Sequence, residues 1–227
     1  MSTLYIVATP IGNLEDITLR ALETLKTVDV VLCEDTRVTK KLLARYDIHT
    51  PTLSYHTYSA SAKSEKIIEL LREGKNLALV SDAGTPAISD PGSLLVAEVR
   101  EALGADVSIV PIPGPSAVVA ALSVSGFPAD SFLFLGFLPH KKGRQTLFKE
   151  IAASERTVVF YESPHRILKA LGALEVALSP SRSIAVVREI SKIFEEIIRG
   201  NASEAHDYFK KNPDKVRGEF VVVVSPL

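Results

Sequence analysis

Residues 81–92 form a dense stretch of chemistry-bearing and turn-forming residues: two glycines, two prolines and two aspartates. An apolar run at residues 77–80 precedes the stretch and predicts a buried parallel strand, and a helix is predicted over residues 93–103. Glycine lets the backbone approach a ligand closely, and proline stiffens the loop. Since open α/β sheets bind ligands beyond the carboxyl ends of their strands, the stretch predicts a binding loop. The alternative is a structural turn in which Ser93 caps the helix.

Residues 34–37, Glu-Asp-Thr-Arg, also follow an apolar run, which predicts a strand over residues 28–33. A carboxylate here can orient or deprotonate a hydroxyl, and an arginine can hold a phosphate. Glu34 and Asp35 are therefore candidate catalytic residues, and Arg37 is a candidate substrate contact. The alternative is a helix cap beside a solvated arginine.

Two Pro/Gly turns follow further predicted strands, at residues 9–14 and 111–117. The first reads Thr-Pro-Ile-Gly-Asn-Leu, which by itself is as typical of an ordinary turn as of a binding loop. The second reads Pro-Ile-Pro-Gly-Pro-Ser-Ala and leads into a predicted helix. Free backbone N–H groups at a helix start suit an anion, although proline at a helix start is also common.

A compact basic cluster at residues 136–144 reads Gly-Phe-Leu-Pro-His-Lys-Lys-Gly-Arg. Cations beside an aromatic ring and glycines suit an RNA backbone, whereas most charge runs are simply solvated. Two more strand ends carry charge, Tyr-Glu-Ser-Pro-His-Arg at residues 161–166 and Val-Arg-Glu-Ile-Ser-Lys at residues 187–192. A proline-initiated helix and a surface ion-pair cluster are the corresponding structural alternatives.

Several function classes lack their residues. The chain has no Gly-x-Gly, no Walker lysine motif, no Gly-x-Ser-x-Gly and no His-Glu-x-x-His, so it lacks the signatures of dinucleotide, NTPase, hydrolase and zinc sites. Its one cysteine, Cys33, excludes an internal disulfide framework, and a net charge of −1 leaves no global basic field for nucleic acid. No secretory signal and no apolar run of about 20 residues is present, which predicts a cytoplasmic protein.

Strand and helix patterns alternate through the first half and predict a mostly parallel sheet with flanking helices. A linker is predicted at residues 125–130. Beyond it, strands follow one another with only two helices, at residues 144–152 and 164–178, which predicts a mixed sheet. We therefore predict an α/β fold of two domains, residues 1–125 and 126–227, with a ligand cleft between them.

The segments, taken in order, resemble the tetrapyrrole methylase superfamily, in particular its SDAGTP-x-ISDPG signature and the EDTR, PGPSA, GFLP, YESPHR and RE-[IL]-[TS]-K segments of the RNA-modifying branch. The resemblance implies a two-domain fold, S-adenosyl-L-methionine as cofactor, no metal, and a homodimer. It further implies methylation of the ribose 2′-hydroxyl of a cytidine in 16S ribosomal RNA, near the decoding region of the small subunit.

The resemblance also implies roles for individual residues. The expected cofactor contacts are Pro10, Gly12, Ala83, Gly84, Thr85, Ile88, Ser116, Ala117, Tyr161, Glu162 and Ile190. The expected substrate contacts are Arg37, His56, Lys141, Lys142, Arg144, His165, Arg166, Arg188 and Lys192. The candidate catalytic carboxylates are Asp35, to be tested first, and Glu34, Glu162 and Glu189.

The chain departs from the family pattern in two places. Near residue 56 the family usually has a His-Glu-His-Asn-like run, of which only His56 is present in register. Many relatives also continue past the final strand with a basic helical segment. Two alternative functions remain open: a precorrin-type C-methyltransferase, against which the basic cluster argues, and a non-catalytic RNA- or ribosome-binding module, against which the intact cofactor loops argue.

Overall fold

The structure, a computed structural model, describes residues 1–55 and 60–227, excluding the side chains of residues 60–62. The chain divides into two compact units, Met1–Ser116 and Ala117–Leu227. Within the described residues, no helix has both the length and the apolar character needed to cross a membrane.

The first unit is a parallel sheet with helices on both faces. Its elements are β1 (Ser2–Val7), α1 (Leu19–Thr27), β2 (Val30–Cys33), α2 (Thr36–Arg45), β3 (Thr52–Ser54), α3 (Ala60–Arg72), β4 (Leu77–Leu79), α4 (Gly92–Leu103) and β5 (Val107–Ile112). The strand order is β3-β2-β4-β1-β5, and every neighbouring pair is parallel. This confirms the predicted parallel sheet.

The helices of the first unit cover the two faces in pairs. Ala21 and Leu25 of α1 share one buried cluster with Leu42 of α2, whereas α3 and α4 pack against the opposite face through residues such as Leu71 and Leu95. The chain therefore leaves β4 toward one face and leaves its neighbours β1 and β2 toward the other. Such a divergence opens a crevice at the carboxyl edge of a sheet.

The second unit is a mixed sheet. Its elements are α5 (Ala117–Ser125), β6 (Phe132–Phe137), α6 (Arg144–Ala152), β7 (Thr157–Glu162), α7 (Ile167–Ala177), β8 (Ser183–Arg188), β9 (Glu196–Asn201), α8 (Ala202–Lys211) and β10 (Phe220–Val224). The strand order is β6-β7-β10-β8-β9; β6 and β7 are parallel, and the other neighbours are antiparallel. The predicted mixed sheet is confirmed.

Two features of the second unit differ from the prediction. Helix α8 was not predicted, although Asn201 and Glu204 form a capping box at its start, a signal that is readable in the sequence. The predicted boundary places helix α5 in the first domain, but Val118 and Leu122 pack with strands of the second sheet. The compact units therefore divide before this helix, whereas the predicted boundary lies after it.

Candidate functional site

The loops that follow β1 and β4 are joined at the carboxyl edge of the first sheet. The N–H of Thr9 donates to the carbonyl oxygen of Gly84 at 2.9 Å, and the N–H of Gly84 donates to that of Thr9 at 3.1 Å. The Thr9 hydroxyl donates to the carbonyl oxygen of Ser81 at 3.1 Å. Since the two loops then diverge toward opposite faces, this bridge lies where open α/β sheets bind ligands. Thr9 was not predicted as a site residue; its position directly after an apolar run was the available signal.

Gly84 lies where the loops approach closely. Its φ is +82°, and a Cβ atom there would lie 3.3 Å from Cγ2 of Ile11 and 3.6 Å from the carbonyl oxygen of Pro115. The Thr85 hydroxyl donates to that same oxygen at 3.1 Å. The three predicted cofactor loops of this unit therefore lie together. They carry Pro10, Gly12, Ala83, Gly84, Thr85 and Ser116.

The last part of the central loop is held in an uncommon backbone conformation. Ala87 and Ser89 have φ values of 71° and 65°, in the left-handed region. One oxygen of Asp90, Oδ1, accepts from the N–H groups of Ala87 at 2.8 Å and Gly92 at 2.7 Å. Asp90 rather than Ser93 therefore fixes the start of α4, and Ile88 is left 46% exposed. Left-handed non-glycine residues held in this way occur preferentially at ligand sites.

Glu34 and Asp35, at the end of β2, have different environments. Asp35 accepts from Nε and Nη2 of Arg37, and these hydrogen bonds lower the pKa of Asp35 to about 2. Burial raises the pKa of Glu34, and the nearby carboxylates of Asp90 and Asp82 raise it further. A general base works best when its pKa lies near the operating pH, so Glu34 is better suited to accept a proton than Asp35, the first candidate from the sequence.

The second unit collects the other predicted residues at one edge of its sheet. Because β10 is antiparallel to both β7 and β8, and β6 is parallel to β7, the carboxyl ends of β6, β7 and β8 meet at the same edge. The basic cluster and both charged strand ends follow these three strands. Lys141, Lys142 and His165 are exposed there, whereas His56 lies outside the described residues.

Tyr161 and Glu162 face opposite sides of the second sheet. Tyr161 packs against Phe134 with ring centroids 5.0 Å apart, on the side that Val118 and Ile190 also cover. Successive side chains of a strand alternate between faces, so the carboxylate of Glu162 points to the other side. The expected joint cofactor role of these two residues therefore does not fit the strand geometry.

The carboxylate of Glu162 is fully engaged. Its Oε2 lies 2.9 Å from Nη2 of Arg144, and its Oε1 lies 2.8 Å from Nη2 of Arg166 and 2.9 Å from the N–H of Ser163. Glu162 is 1% exposed. The sequence predicted a catalytic or cofactor role for Glu162 and RNA contacts for the arginines, but the structure pairs these groups with one another.

Glu189 and its neighbours form a second network. Burial opposes ionisation of Glu189, but hydrogen bonds from the Glu219 N–H and from Lys192 outweigh it and lower the pKa of Glu189. Lys192 also donates to the carboxylate of Glu219 at 2.7 Å. Arg188 is buried and donates to two backbone carbonyl oxygens at 3.0 and 3.1 Å. Arg188 is therefore a structural residue rather than the predicted substrate contact.

No three His, Cys, Asp or Glu side chains of the described part of the chain are grouped to hold a metal ion. What the first unit offers is a crevice of closely packed backbone loops beside a carboxyl group of raised pKa. What the second unit offers is an edge with exposed cations and aromatic rings. Backbone loops at the carboxyl edge of an open α/β sheet suit a small-molecule ligand, and exposed cations suit a polyanionic one.

The sequence is similar to those of known proteins over nearly its whole length. The pattern of the tetrapyrrole (corrin/porphyrin) methylases matches residues 3–206. Ribosomal RNA small subunit methyltransferase I of Mesorhizobium japonicum is 50% identical, over 98% of this chain and 75% of its own. The protein of the same name from Thermotoga maritima is 47% identical, over 99% of both chains.

Solved structures share the fold. Uroporphyrin-III C-methyltransferase from Thermus thermophilus, crystallised with S-adenosyl homocysteine, superimposes with a TM-score of 0.67 at 19% identity, over 98% of this chain and 97% of its own. The strand orders of the two sheets and the joined loops are consistent with the fold that these similarities indicate. The chain belongs to the tetrapyrrole methylase family, in the group of ribosomal RNA small subunit methyltransferase I proteins.

Proposed function

We propose that this protein transfers a methyl group from S-adenosyl-L-methionine to the ribose 2′-hydroxyl of a cytidine in 16S ribosomal RNA. The observation that carries the proposal is the 47–50% identity to ribosomal RNA small subunit methyltransferase I proteins over nearly the whole chain. The choice of a ribose hydroxyl on a cytidine rests on the resemblance of the sequence motifs to the RNA-modifying branch.

The cofactor assignment is supported by the joined loops of the first unit. At Gly84 a Cβ atom would lie 3.3 Å from Ile11, so a residue without a side chain lets these loops pack closely together. In the first unit, the residues proposed to hold the cofactor are Pro10, Gly12, Ala83, Gly84, Thr85, Ile88 and Ser116. For Ala117, Tyr161 and Ile190, a cofactor role is proposed on the resemblance of the sequence motifs alone. Bound S-adenosyl-L-methionine supplies a methyl group that its sulfonium already activates.

The residues of the chain then have two tasks, to align a ribose hydroxyl and to take its proton. Alignment alone can remove much of a barrier for such a transfer. Glu34 is the proposed proton acceptor, because burial and two nearby carboxylates raise its pKa. Arg37 keeps the neighbouring Asp35 ionised and fixed in place.

The RNA contacts are proposed for the exposed cations. Lys141, Lys142 and His165 are exposed, and Phe137, which is 57% exposed, offers a ring on which an unpaired base can stack. The guanidinium of Arg37 is also largely exposed. We further propose a homodimer acting in the cytoplasm, which would double the number of these cations in one particle.

The test is methyl transfer to small ribosomal subunits isolated from a strain that lacks the corresponding gene. Titration calorimetry with S-adenosyl-L-methionine comes first, followed by incubation with the methyl-labelled cofactor and digestion of the RNA to nucleosides. Label in 2′-O-methylcytidine is expected. Cofactor binding without labelled RNA would contradict the RNA substrate and favour a tetrapyrrole C-methyltransferase. Absence of cofactor binding would contradict an enzymatic role and favour a binding module.

A further inference from the structure

The basic segment between β6 and α6 is attached at its base to a buried ion-pair network. Nη1 of Arg166 donates to the carbonyl oxygen of Leu138 at 2.8 Å, and Nη1 of Arg144 donates to that of Pro139 at 3.1 Å. The other arm of each guanidinium reaches Glu162. Two consecutive carbonyl groups are therefore held by two arginines that share one buried carboxylate.

The side chains beyond this attachment are oriented differently from the arginines. His140, Lys141 and Lys142 are exposed, and the turn closes with an N–H···O bond of 3.3 Å from Arg144 to Lys141. The side chains of Arg144 and Arg166, by contrast, are only 14% and 16% exposed. Their hydrogen-bonding groups are directed at the protein, so little of their charge is presented to a phosphate.

We propose that Arg144, Arg166 and Glu162 are positioning residues, which fix the segment so that Lys141 and Lys142 meet the phosphate backbone of the RNA substrate. The inference rests on the proposed function. The physical reason is entropy: a segment already held in its binding conformation loses less freedom when RNA binds. Arginine is required at both positions because its planar fork spans a carboxylate and a carbonyl at once, which a lysine ammonium cannot do in the same geometry.

The decisive variant is Arg144→Lys, which keeps the positive charge and loses the two-sided attachment. We expect the KM for small ribosomal subunits to rise about tenfold, as for the loss of a charge-assisted hydrogen bond. The kcat and the affinity for S-adenosyl-L-methionine should not change. The proposal would be overturned if Arg144→Lys had the KM of the unmodified protein while Arg144→Gln had a raised KM. That result would show that only the charge at this position matters.

Arg182→Lys is the matched control. Arg182 is also a buried arginine of the second unit that donates to backbone carbonyl oxygens, those of Ser225 at 2.9 Å and Ser154 at 3.0 Å, but it lies away from the basic segment. Its substitution should lower the melting temperature in the same way as Arg144→Lys while leaving the KM for subunits unchanged. A similar rise in KM for both variants would mean that general destabilisation explains the effect.

Glu162→Gln separates the proposal from direct RNA binding by the arginines. If the arginines bind phosphate themselves, removing the carboxylate frees them, and the KM for subunits falls. If they position the segment, the KM rises. Glu162→Gln leaves two cations without their carboxylate, which can prevent folding. A second test therefore combines Arg144→Lys with Lys141→Ala and Lys142→Ala. The lysine substitutions should add little once the segment is released, and fully additive effects would contradict positioning.

Trypsin cleavage after Lys141 and Lys142 tests the attachment without any substrate. Arg144→Lys should speed this cleavage relative to Arg182→Lys, and equal rates would overturn the proposal. If the unmodified protein binds cofactor but methylates no subunits, the proposed function fails by itself. The cleavage rates then still report whether the network holds the segment.

Discussion

Glu34 and Asp35 are adjacent carboxylates whose pKa values move in opposite directions. Arg37 lowers that of Asp35 to about 2, whereas burial with Asp90 and Asp82 raises that of Glu34. The sequence identifies both as candidate bases because both follow a buried strand. The sequence does not separate them, since the raised pKa of Glu34 depends first on burial and then on carboxylates about 50 residues further along the chain, and only the fold produces both.

Glu34→Gln is expected to reduce kcat for methyl transfer by about a hundredfold or more, the usual contribution of a general base. It should also raise the melting temperature at pH 7. The pKa of Glu34 is higher in the folded protein than in the unfolded chain, so stability falls as the pH rises from the unfolded-state pKa to the folded-state pKa. Above the folded-state pKa the ionised carboxylate destabilises the fold, and glutamine removes this cost. Kinetics with labelled cofactor and thermal unfolding measure the two effects on one preparation.

Asp35→Asn serves as the comparison. With a pKa of about 2, Asp35 is ionised at every working pH, so its substitution should leave the pH profile in the same place. In the unmodified protein, the acid limb of kcat against pH should lie above the ordinary range of a glutamate, because burial raises the pKa of Glu34. An acid limb that persists in Glu34→Gln and disappears in Asp35→Asn would reverse the assignment.

The roles of Glu162, Arg144 and Arg166 show why side-chain partners were harder to predict than positions. Glu162 is the last residue of β7, whereas Arg144 begins α6 and Arg166 directly precedes α7. The structure joins the three side chains in one network. Whether an arginine faces solvent or a buried carboxylate depends on which residue of β7 points to which face. A one-residue change of register exchanges the two faces, and the local sequence does not fix it.

At the scale of elements, the central loop depends on glycine at one position. Gly84→Ala is expected to destabilise the protein by about 1–2 kcal/mol from backbone strain, since φ is +82°. It should also weaken binding of S-adenosyl-L-methionine, because the new Cβ presses on Ile11 at 3.3 Å and shifts the loops. Calorimetry and thermal unfolding measure both effects.

Gly74→Ala is the matched control, since Gly74 has φ +86° and, among the residues that the structure describes, nothing within 4 Å of the position of a Cβ atom. It carries the same strain without the contact and lies outside the proposed site. It should lower stability and leave cofactor affinity unchanged. Equal cofactor affinity in both variants would argue against a role of the Gly84 loop in binding.

Helix α8 provides a test of local sequence signals. Asn201→Ala should destabilise the protein by about 1 kcal/mol, because its side chain accepts from the N–H of Glu204 and completes the capping box. Lys211→Ala, at an exposed position in the last turn of the same helix, should have little effect. Denaturant unfolding compares them, and equal stabilities would contradict the cap. The helix was not predicted because strand patterns on both sides dominate the hydrophobic periodicity.

At the scale of the whole molecule, the alternation of strands and helices was sufficient to predict both sheets. The parallel sheet follows from β–α alternation, and the mixed sheet follows from strands without intervening helices. The boundary was harder, because α5 has no charged residue and its partner cannot be read from its own sequence. Only its packing against β7, β8 and β10 assigns it to the second unit.

The edge of the second sheet gives a physical reason to expect the proposed homodimer. Strand β6 is the last strand on one side, and its Phe132 and Leu133 are exposed. Apolar edge strands tend to associate, and a second copy offers the same edge for symmetric pairing. Sedimentation at micromolar concentration should give about twice the 24.6 kDa mass of one chain. A single-chain mass would contradict the dimer, and Leu133→Lys should shift any dimer toward single chains.

The central position of β1 has a consequence for the order of folding. Strand β1 is synthesised before both strands that flank it, β4 and β5, with Leu4 opposite Leu77 and Ser2 opposite Val107. The partner residues Leu77 and Val107 lie far along the chain from β1, which ends at Val7. At about 5–20 residues per second, synthesis of these partners takes several seconds or more. During those seconds the apolar β1 has no strand to pair with, and closure of its long loops makes the pairing slow. The first unit should therefore depend on chaperones during translation more than the second, in which β6 and β7 are close in the chain.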